Sequence, residues 1–492
     1  MQNSIKLKTS VLAMAAAAAG CATPVAGEDR SGQLTLIENV RIVDPESRTI
    51  HEDGFIVIEG ETIESVGTGL PPERPYARRE DLQGRYVMPG LIDTHAHVTL
   101  GPVVAERVDD SVALSVVYDD EITRFHAATL LSFGVTTIRN PGGQAEVNVA
   151  YREAVETGAL LGPSALVAGE VIDRPIMGFE GLVDPVTEDR PIELVVREQA
   201  EAGVDMVKFY TMLTEQDLRE GQAAADALGV STVAHTGVNW HKAAEIGLDA
   251  LVHAMPTSPE LLPPAEREPY LDKKRPGAFE FFEWWEHADL DSPLITEMIA
   301  ALAEHEVHVD ATLIAFKKAF WGDIPEIRDR HLEYGHPRSI ENWQTLFRFD
   351  LGWKPDDYER ARAVWPKMLR FVRMLHEAGV PLTLGTDQAN PFVVPGASLI
   401  EEMELHTDAG IERWEILQMA TNEAADTLGI GDRVGRIAEG YEADLVILEG
   451  NPSESFDPLL TPLLIVNDGA IHSPSDLLAV ARQESTGDSG EE

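Results

Sequence analysis

Two stretches near the start of the chain, Leu34–Asp44 and residues 54–63, alternate apolar and polar positions with turn residues between them. A period of two lays one apolar face on a core and marks antiparallel strands. The pattern returns far downstream, in residues 436–437, 443–448 and 463–469. Chain ends often lie close together, so the two groups can pair into one small sandwich. Between them, short apolar runs alternate with amphipathic helical stretches, the signature of parallel strands with helical crossovers. Candidate strands fall at residues 89–97, 134–139, 164–169, 204–210, 230–235, 249–253, 306–312 and 380–387. The fold class this predicts is α/β: a (β/α)8 TIM barrel over residues 88–429, with a small β-sandwich domain built from 33–87 and 430–475.

Barrels of this kind gather their chemistry at the C-terminal ends of the strands, where the connecting loops converge. The unusual residues fall at those ends. The first strand enters through Pro89-Gly90 and closes on His95-Ala96-His97. Residues two apart on a strand point the same way, so both imidazoles aim at one point. Lys208 and, one strand period on, Tyr210 lie on the fourth strand; the fifth ends at His235, the sixth at His253 and the eighth at Asp387. A lone strand histidine is more often a satisfied core residue, and a lone strand-end aspartate more often a helix cap. Their joint placement on separate strands points instead to a metal site, and imidazoles with carboxylates form a borderline donor set suited to divalent zinc.

At 492 residues, 44% of them hydrophobic, the chain can bury more than one core. Its 84 acidic residues against 39 basic ones give a formal net charge of -45. Such a surface repels phosphate backbones, which excludes nucleic acid as a partner and leaves a small-molecule substrate. Residues 1–20 read as a signal peptide, with Lys6 and Lys8 ahead of a short apolar stretch, Val11 to Gly20, that is too short to span a membrane. The only cysteine, Cys21, follows Ala18-Ala19-Gly20. That arrangement resembles the lipobox of bacterial lipoproteins, where the cysteine is acylated after cleavage. The reading is an exported protein, periplasmic or anchored to the outer membrane by lipid on Cys21, with residues 21–32 as a tether and 483–492 as an acidic tail. Without another thiol, the body holds no disulfide, Cys-ligated zinc or cysteine nucleophile.

Taken together, several runs resemble the amidohydrolase superfamily, in the branch that groups imidazolonepropionase-like with Xaa-Pro dipeptidase-like enzymes. They are Met88-Pro89-Gly90-Leu91-Ile92-Asp93-Thr94-His95-Ala96-His97, Gly134-Val135-Thr136-Thr137-Ile138-Arg139, the strand-four Lys208, Gly247 to His253, Ala420 to Ala425, and Gly435 to Leu445. Asn140 departs from the aspartate of many relatives, and Ala254-Met255 from the expected Gly or Leu. The resemblance implies two divalent metals: His95, His97 and Asp387 on the inner one, His235 and His253 on the outer one, and an N6-carboxylated Lys208 as the bridge. An ammonium beside dications would be repelled, whereas a carbamate supplies a negative bidentate ligand. The alternative is that Lys208 pairs with a carboxylate and one metal binds.

The implied reaction is hydrolysis of an amide or peptide carbon–nitrogen bond in a small substrate, a dipeptide or N-acyl amino acid, by a hydroxide held between the metals. Asp387 would take its proton and return it to the departing nitrogen, and Tyr210 would hold the substrate or its oxyanion. Two other readings stand beside it. One is a one-metal cyclic amidohydrolase or deaminase of the imidazolonepropionase type; the other is an inactive binding scaffold, which the presence of all six ligands disfavours. The connections 254–305 and 313–379 are long, and their aromatics serve either a substrate lid or the packing of added helices. Lys317, Lys318 and Arg139 are candidates for a substrate carboxylate, whereas His241, His305 and His308 read as structural or surface residues. Cys21→Ala should abolish palmitate incorporation, and mass spectrometry of the wild-type protein should find an acylated Cys21 as its first residue; labelling that persists in the variant would refute the anchor.

Overall fold

The computed structural model describes residues 32–108, 111–175 and 182–483. The export signal, Cys21 and the acidic tail beyond Gln483 lie outside the described residues. Among those described, no helix is long and apolar enough to cross a membrane.

The alternating segments from both chain ends meet in one seven-stranded sheet, in the order Ala470–His472, Leu464–Asn467, Leu445–Leu448, Arg78–Pro89, Leu34–Asp44, Thr49–Glu59, Thr62–Thr68. Neighbours run antiparallel except Leu34–Asp44 and Arg78–Pro89, which are parallel. The sheet folds back on itself. Ile63 N donates to Tyr441 O at 2.8 Å and Ala443 N to Glu61 O at 2.8 Å, so the edge strand Thr62–Thr68 is tied to the segment leading into Leu445–Leu448. The enclosed core consists of Ile37, Val40, Ile42, Ile56, Ile58, Ile63, Val87, Leu445, Ile447 and Val466, the apolar set of the alternation.

Arg78–Pro89 runs straight into the first barrel strand, Leu91–Asp93, so sheet and barrel share one continuous stretch of chain. The other barrel strands are Val135–Asn140, Ser164–Val167, Met206–Phe209, Ser231–Ala234, Ala250–Val252, His308–Asp310 and Leu382–Thr383, each overlapping an expected one. They pair in parallel. A bridge between Ala168 and Met206 joins the third to the fourth, and Thr94 N donating to Leu384 O at 2.9 Å joins the eighth to the first. Leu166, Ala168, Met206, Val233, Ala250 and Val252 pack together as one layer, while Val207, Phe209 and Leu251 belong to the core shared with the helices. The period of two thereby directs Lys208 inward with Met206.

The long connections after strands six and seven are built into helices, among them Pro264–Lys273, Glu280–His287, Leu313–Phe320, Pro337–Thr345 and Pro355–Glu377. Their aromatics form a packed layer: Phe282, Trp284, Trp285 and Phe320 are fully buried, and Phe282 meets Trp353 edge to face at 5.0 Å. Some elements have no counterpart in the sequence reading, among them the short strands Val171–Asp173 and Val183–Pro185 beside Met206–Phe209. Another, a hairpin of Leu100–Val108 and Ser111–Tyr118, follows the first barrel strand, and Asn342 clamps it by accepting from Val103 N at 2.9 Å and donating to Val103 O at 2.7 Å. Ile447→Ala, in the centre of the sheet core, should cost about 2–5 kcal/mol. Because the sheet flows into the first barrel strand, denaturant unfolding followed by fluorescence and by circular dichroism should shift as one transition.

Candidate active site

The first and eighth strands bring together residues nearly three hundred positions apart. His95 Nε2 and His97 Nε2 each lie 3.3 Å from Asp387 Oδ1. Backbone bonds hold this geometry: Asp387 N donates to His95 O at 2.7 Å, and His97 N donates to Gln388 O. Asp93 ties the same seam, its carboxylate accepting from His95 N at 3.0 Å, Thr386 N at 3.1 Å and Thr386 Oγ1 at 2.8 Å. Burial still pushes that carboxyl up to about 7. Gly385 is required here, since a Cβ would fall 2.4 Å from Asp310 Oδ1 and 2.5 Å from His95 Cβ.

His235 and His253 complete the ring of imidazoles, with centroids 4.6 Å apart and His253 5.1 Å from His95. Val252 lies in the inner layer, so strict alternation would turn His253 away. Its left-handed backbone, φ 67°, breaks the alternation, and Asp387 has the same feature at φ 63°. His253 Nδ1 then lies 2.8 Å from Thr312 Oγ1 and 3.9 Å from Asp387 Oδ2. Tyr210 stacks edge to face on His235 at 5.0 Å, and burial pushes its phenol up to about 12, which keeps it a hydrogen-bond donor. The structure thus brings His95, His97, His235, His253, Tyr210 and Asp387 close together at the strand ends.

Three donors, from His95, His97 and Asp387, lie within 4.8 Å of one another. His95 Nε2 is buried without a hydrogen-bond partner, while its Nδ1 is held at 2.9 Å by Asp310. An imidazole fixed at one nitrogen, with a bare buried lone pair at the other, fits a divalent metal. His97 is held likewise, through Nδ1 and the Gly142 carbonyl at 3.2 Å. Burial lowers the His97 and His253 pKa values and takes His235 to about 3, aided there by Lys208, so these rings are neutral at pH 7 as metal ligation requires. Burial opposes ionisation of Asp387, but the adjacent His95 and His97 outweigh it and hold its carboxyl well below the usual carboxylate range.

Lys208 is 3% exposed, and no carboxylate lies within ion-pairing distance of it among the described residues. Burial brings its ammonium down to about 8, with Arg139 lowering it further and Asp387 and Asp310 opposing. Sequence reasoning missed Asp310, which joins His95 to Arg139 Nη2 at 3.2 Å; its signal was an acidic residue closing the seventh strand. Arg139 is consequently not free for a substrate, being 3% exposed and donating from Nε to Thr94 O at 2.6 Å. Lys318 is equally committed, to Glu401 at 3.2 Å and two carbonyls, and Lys317 lies 3.8 Å above the Trp321 ring.

The amidohydrolase family model matches residues 86–472. The chain is 27% identical over 420 residues to the imidazolonepropionase of Paracoccus denitrificans (strain Pd 1222), covering 83% of this chain and 92% of that protein. Its fold is similar to that of bottromycin amidohydrolase, with a TM-score of 0.69, 24% identity and coverage of 93% and 92%. It is also similar to a Xaa-Pro dipeptidase with bound methionine in the active site, with a TM-score of 0.63, 21% identity and coverage of 89% and 100%. The chain belongs to the amidohydrolase family and is a hydrolase acting on carbon–nitrogen bonds.

Proposed function

We propose that the protein is a two-metal hydrolase of an amide or peptide bond in a small substrate, a dipeptide or N-acyl amino acid, with zinc the best match to its donors. The observation that carries this reading is Lys208: a buried lysine beside Asp387 and His235, with no carboxylate in ion-pairing distance among the described residues. A lysine kept only for an ion pair would have its partner. An amine lowered toward neutrality is instead the form that adds carbon dioxide, giving a carbamate. His95, His97 and Asp387 would hold one metal, His235 and His253 a second, and carboxylated Lys208 would join them. When bound, the metals supply Lewis acidity toward a substrate carbonyl and make water a better nucleophile near neutral pH.

The chain's own residues do the rest. Asp387, ionised at neutral pH, accepts a proton from the attacking water at its carboxylate and returns it to the departing nitrogen. Tyr210, protonated and beside His235, donates to the carbonyl oxygen as negative charge grows there. Asp310 and Gly142 hold His95 and His97 in fixed orientation, so no reorganisation is needed during the reaction. A second reading, a one-metal cyclic amidohydrolase or deaminase, is favoured by the tight cluster, which among the described residues contains only His95, His97 and Asp387. Elemental analysis after saturation with zinc and bicarbonate, with turnover of a dipeptide and N-acyl amino acid library, separates the two. Two zinc ions per chain and a hit in the library support the first reading, and one ion rejects it.

Lys208→Ala should drop metal content below two per chain and remove most activity, with partial rescue by added short carboxylic acids. Unchanged metal and turnover would refute the bridge. Asp387→Asn should lower kcat by about a hundredfold or more, the scale of general acid–base catalysis. Its circular dichroism spectrum should match wild type, since Gly385, Thr386 and the Asp93 clamp persist; a normally active variant would remove Asp387 from proton transfer.

A further inference from the structure

The loop after the seventh strand contains an arrangement that the chemistry above leaves unused. Thr312 stands at the N-cap of helix Leu313–Phe320, a position where threonine ordinarily accepts from the helix's own first amides. Here its side chain makes no capping bond. The hydroxyl is turned instead to His253 Nδ1 at 2.8 Å, and the residue takes a left-handed backbone, φ 46° and ψ 43°, that a β-branched side chain adopts only when its surroundings impose it. The orphaned amides are satisfied from another helix. Glu402, on Ala397–Ala409, accepts from Leu313 N at 2.9 Å with one carboxylate oxygen and from Ile314 N at 2.6 Å with the other.

We propose that Glu402 is a positioning residue for the active site: by capping helix Leu313–Phe320 in place of Thr312, it leaves the Thr312 hydroxyl to hold the His253 ring. Glu402 is fully buried, and a buried carboxylate is an expensive way to cap a helix that carries its own threonine at the N-cap. Burial drives its carboxyl well above the usual carboxylate range, even with two amides donating to it. The arrangement is explained if the threonine is needed elsewhere. With Nδ1 held by Thr312, the ring of His253 has Nε2 left to ligate, the division of labour seen at His95 between Asp310 and the bare Nε2. The inference rests on the reading of His253 as a metal-site residue only in its functional consequence; the chain Glu402 to Thr312 to His253 is a statement about geometry.

The test compares Glu402→Gln, Thr312→Val and the double variant in the zinc-loaded full-length protein. Thr312→Val should weaken zinc retention against a chelator, or kcat, by about tenfold to a hundredfold, the usual effect of removing a partner of a metal ligand. Glu402→Gln should lose in the same direction, and the double variant should lose no more than Thr312→Val alone. If Glu402→Gln does not fold, Glu402→Asp withdraws the cap by one methylene and is read the same way. A lower Tm with wild-type zinc retention and kcat would make Glu402 a plain helix cap, and losses that multiply in the double variant would show independent action; either overturns the proposal. Nitrogen NMR of labelled histidine in the metal-free protein provides a second reading. The His253 ring signals should move in Glu402→Gln as they do in Thr312→Val, and signals that stay put refute the linkage. If His253→Ala retains zinc as wild type does while those signals still move together, the positioning stands and the two-metal reading fails.

Discussion

The seam between the first and eighth barrel strands carries both the fold and the chemistry. Thr94 N to Leu384 O closes the barrel, and Asp387 N to His95 O, a few residues on, sets the spacing of two ligands. The approach is so close that only glycine fits at 385. Closing the barrel and assembling the His95, His97 and Asp387 donors are therefore one event. An error in register at this seam would move every side chain of the first strand to the opposite face and dissolve the site with it.

Around the seam the protein accepts local cost for fixed direction. His253, Thr312 and Asp387 all have left-handed backbones, a conformation worth about 1–3 kcal/mol each against a non-glycine residue. Carboxylates at Asp93, Asp310 and Glu402 are buried: both oxygens of Asp93 and Glu402 accept from amides or a hydroxyl, and Asp310 Oδ2 alone meets both an imidazole and a guanidinium. Each such group orients something that faces the centre, and the packed helical layer with its aromatic core resists their relaxation. A rigid, buried ring of imidazoles results, in which charge brought by a bound cation would be felt strongly.

Much of this was legible in the sequence because it follows two short periods. The two-residue period gave the strands, and with them His95, His97, Lys208, Tyr210 and His235 on inward faces. His253 and Asp387 were found as strand-end residues, but their inward direction depends on backbone turns that no alternation encodes. Asp310 was passed over because a strand-end aspartate has an ordinary explanation as a cap, and only the fold reveals it between His95 and Arg139. Arg139 was misjudged as free for the same reason: cations have no periodicity that announces a partner distant in sequence. The hairpin Leu100–Tyr118 was missed because its valines lie in a stretch where a crossover helix was due.

The position of Leu445–Leu448 within the sheet has a consequence in time. It lies beside Arg78–Pro89, the strand that feeds the barrel, yet some three hundred and fifty residues of synthesis separate the two. Until the late strand arrives, the early one presents a bare edge of amides and carbonyls, the kind of template on which chains stick to one another. Maturation is thus ordered by topology: the nascent chain passes through a long interval of vulnerability, and the last strands to leave the ribosome are the ones that end it.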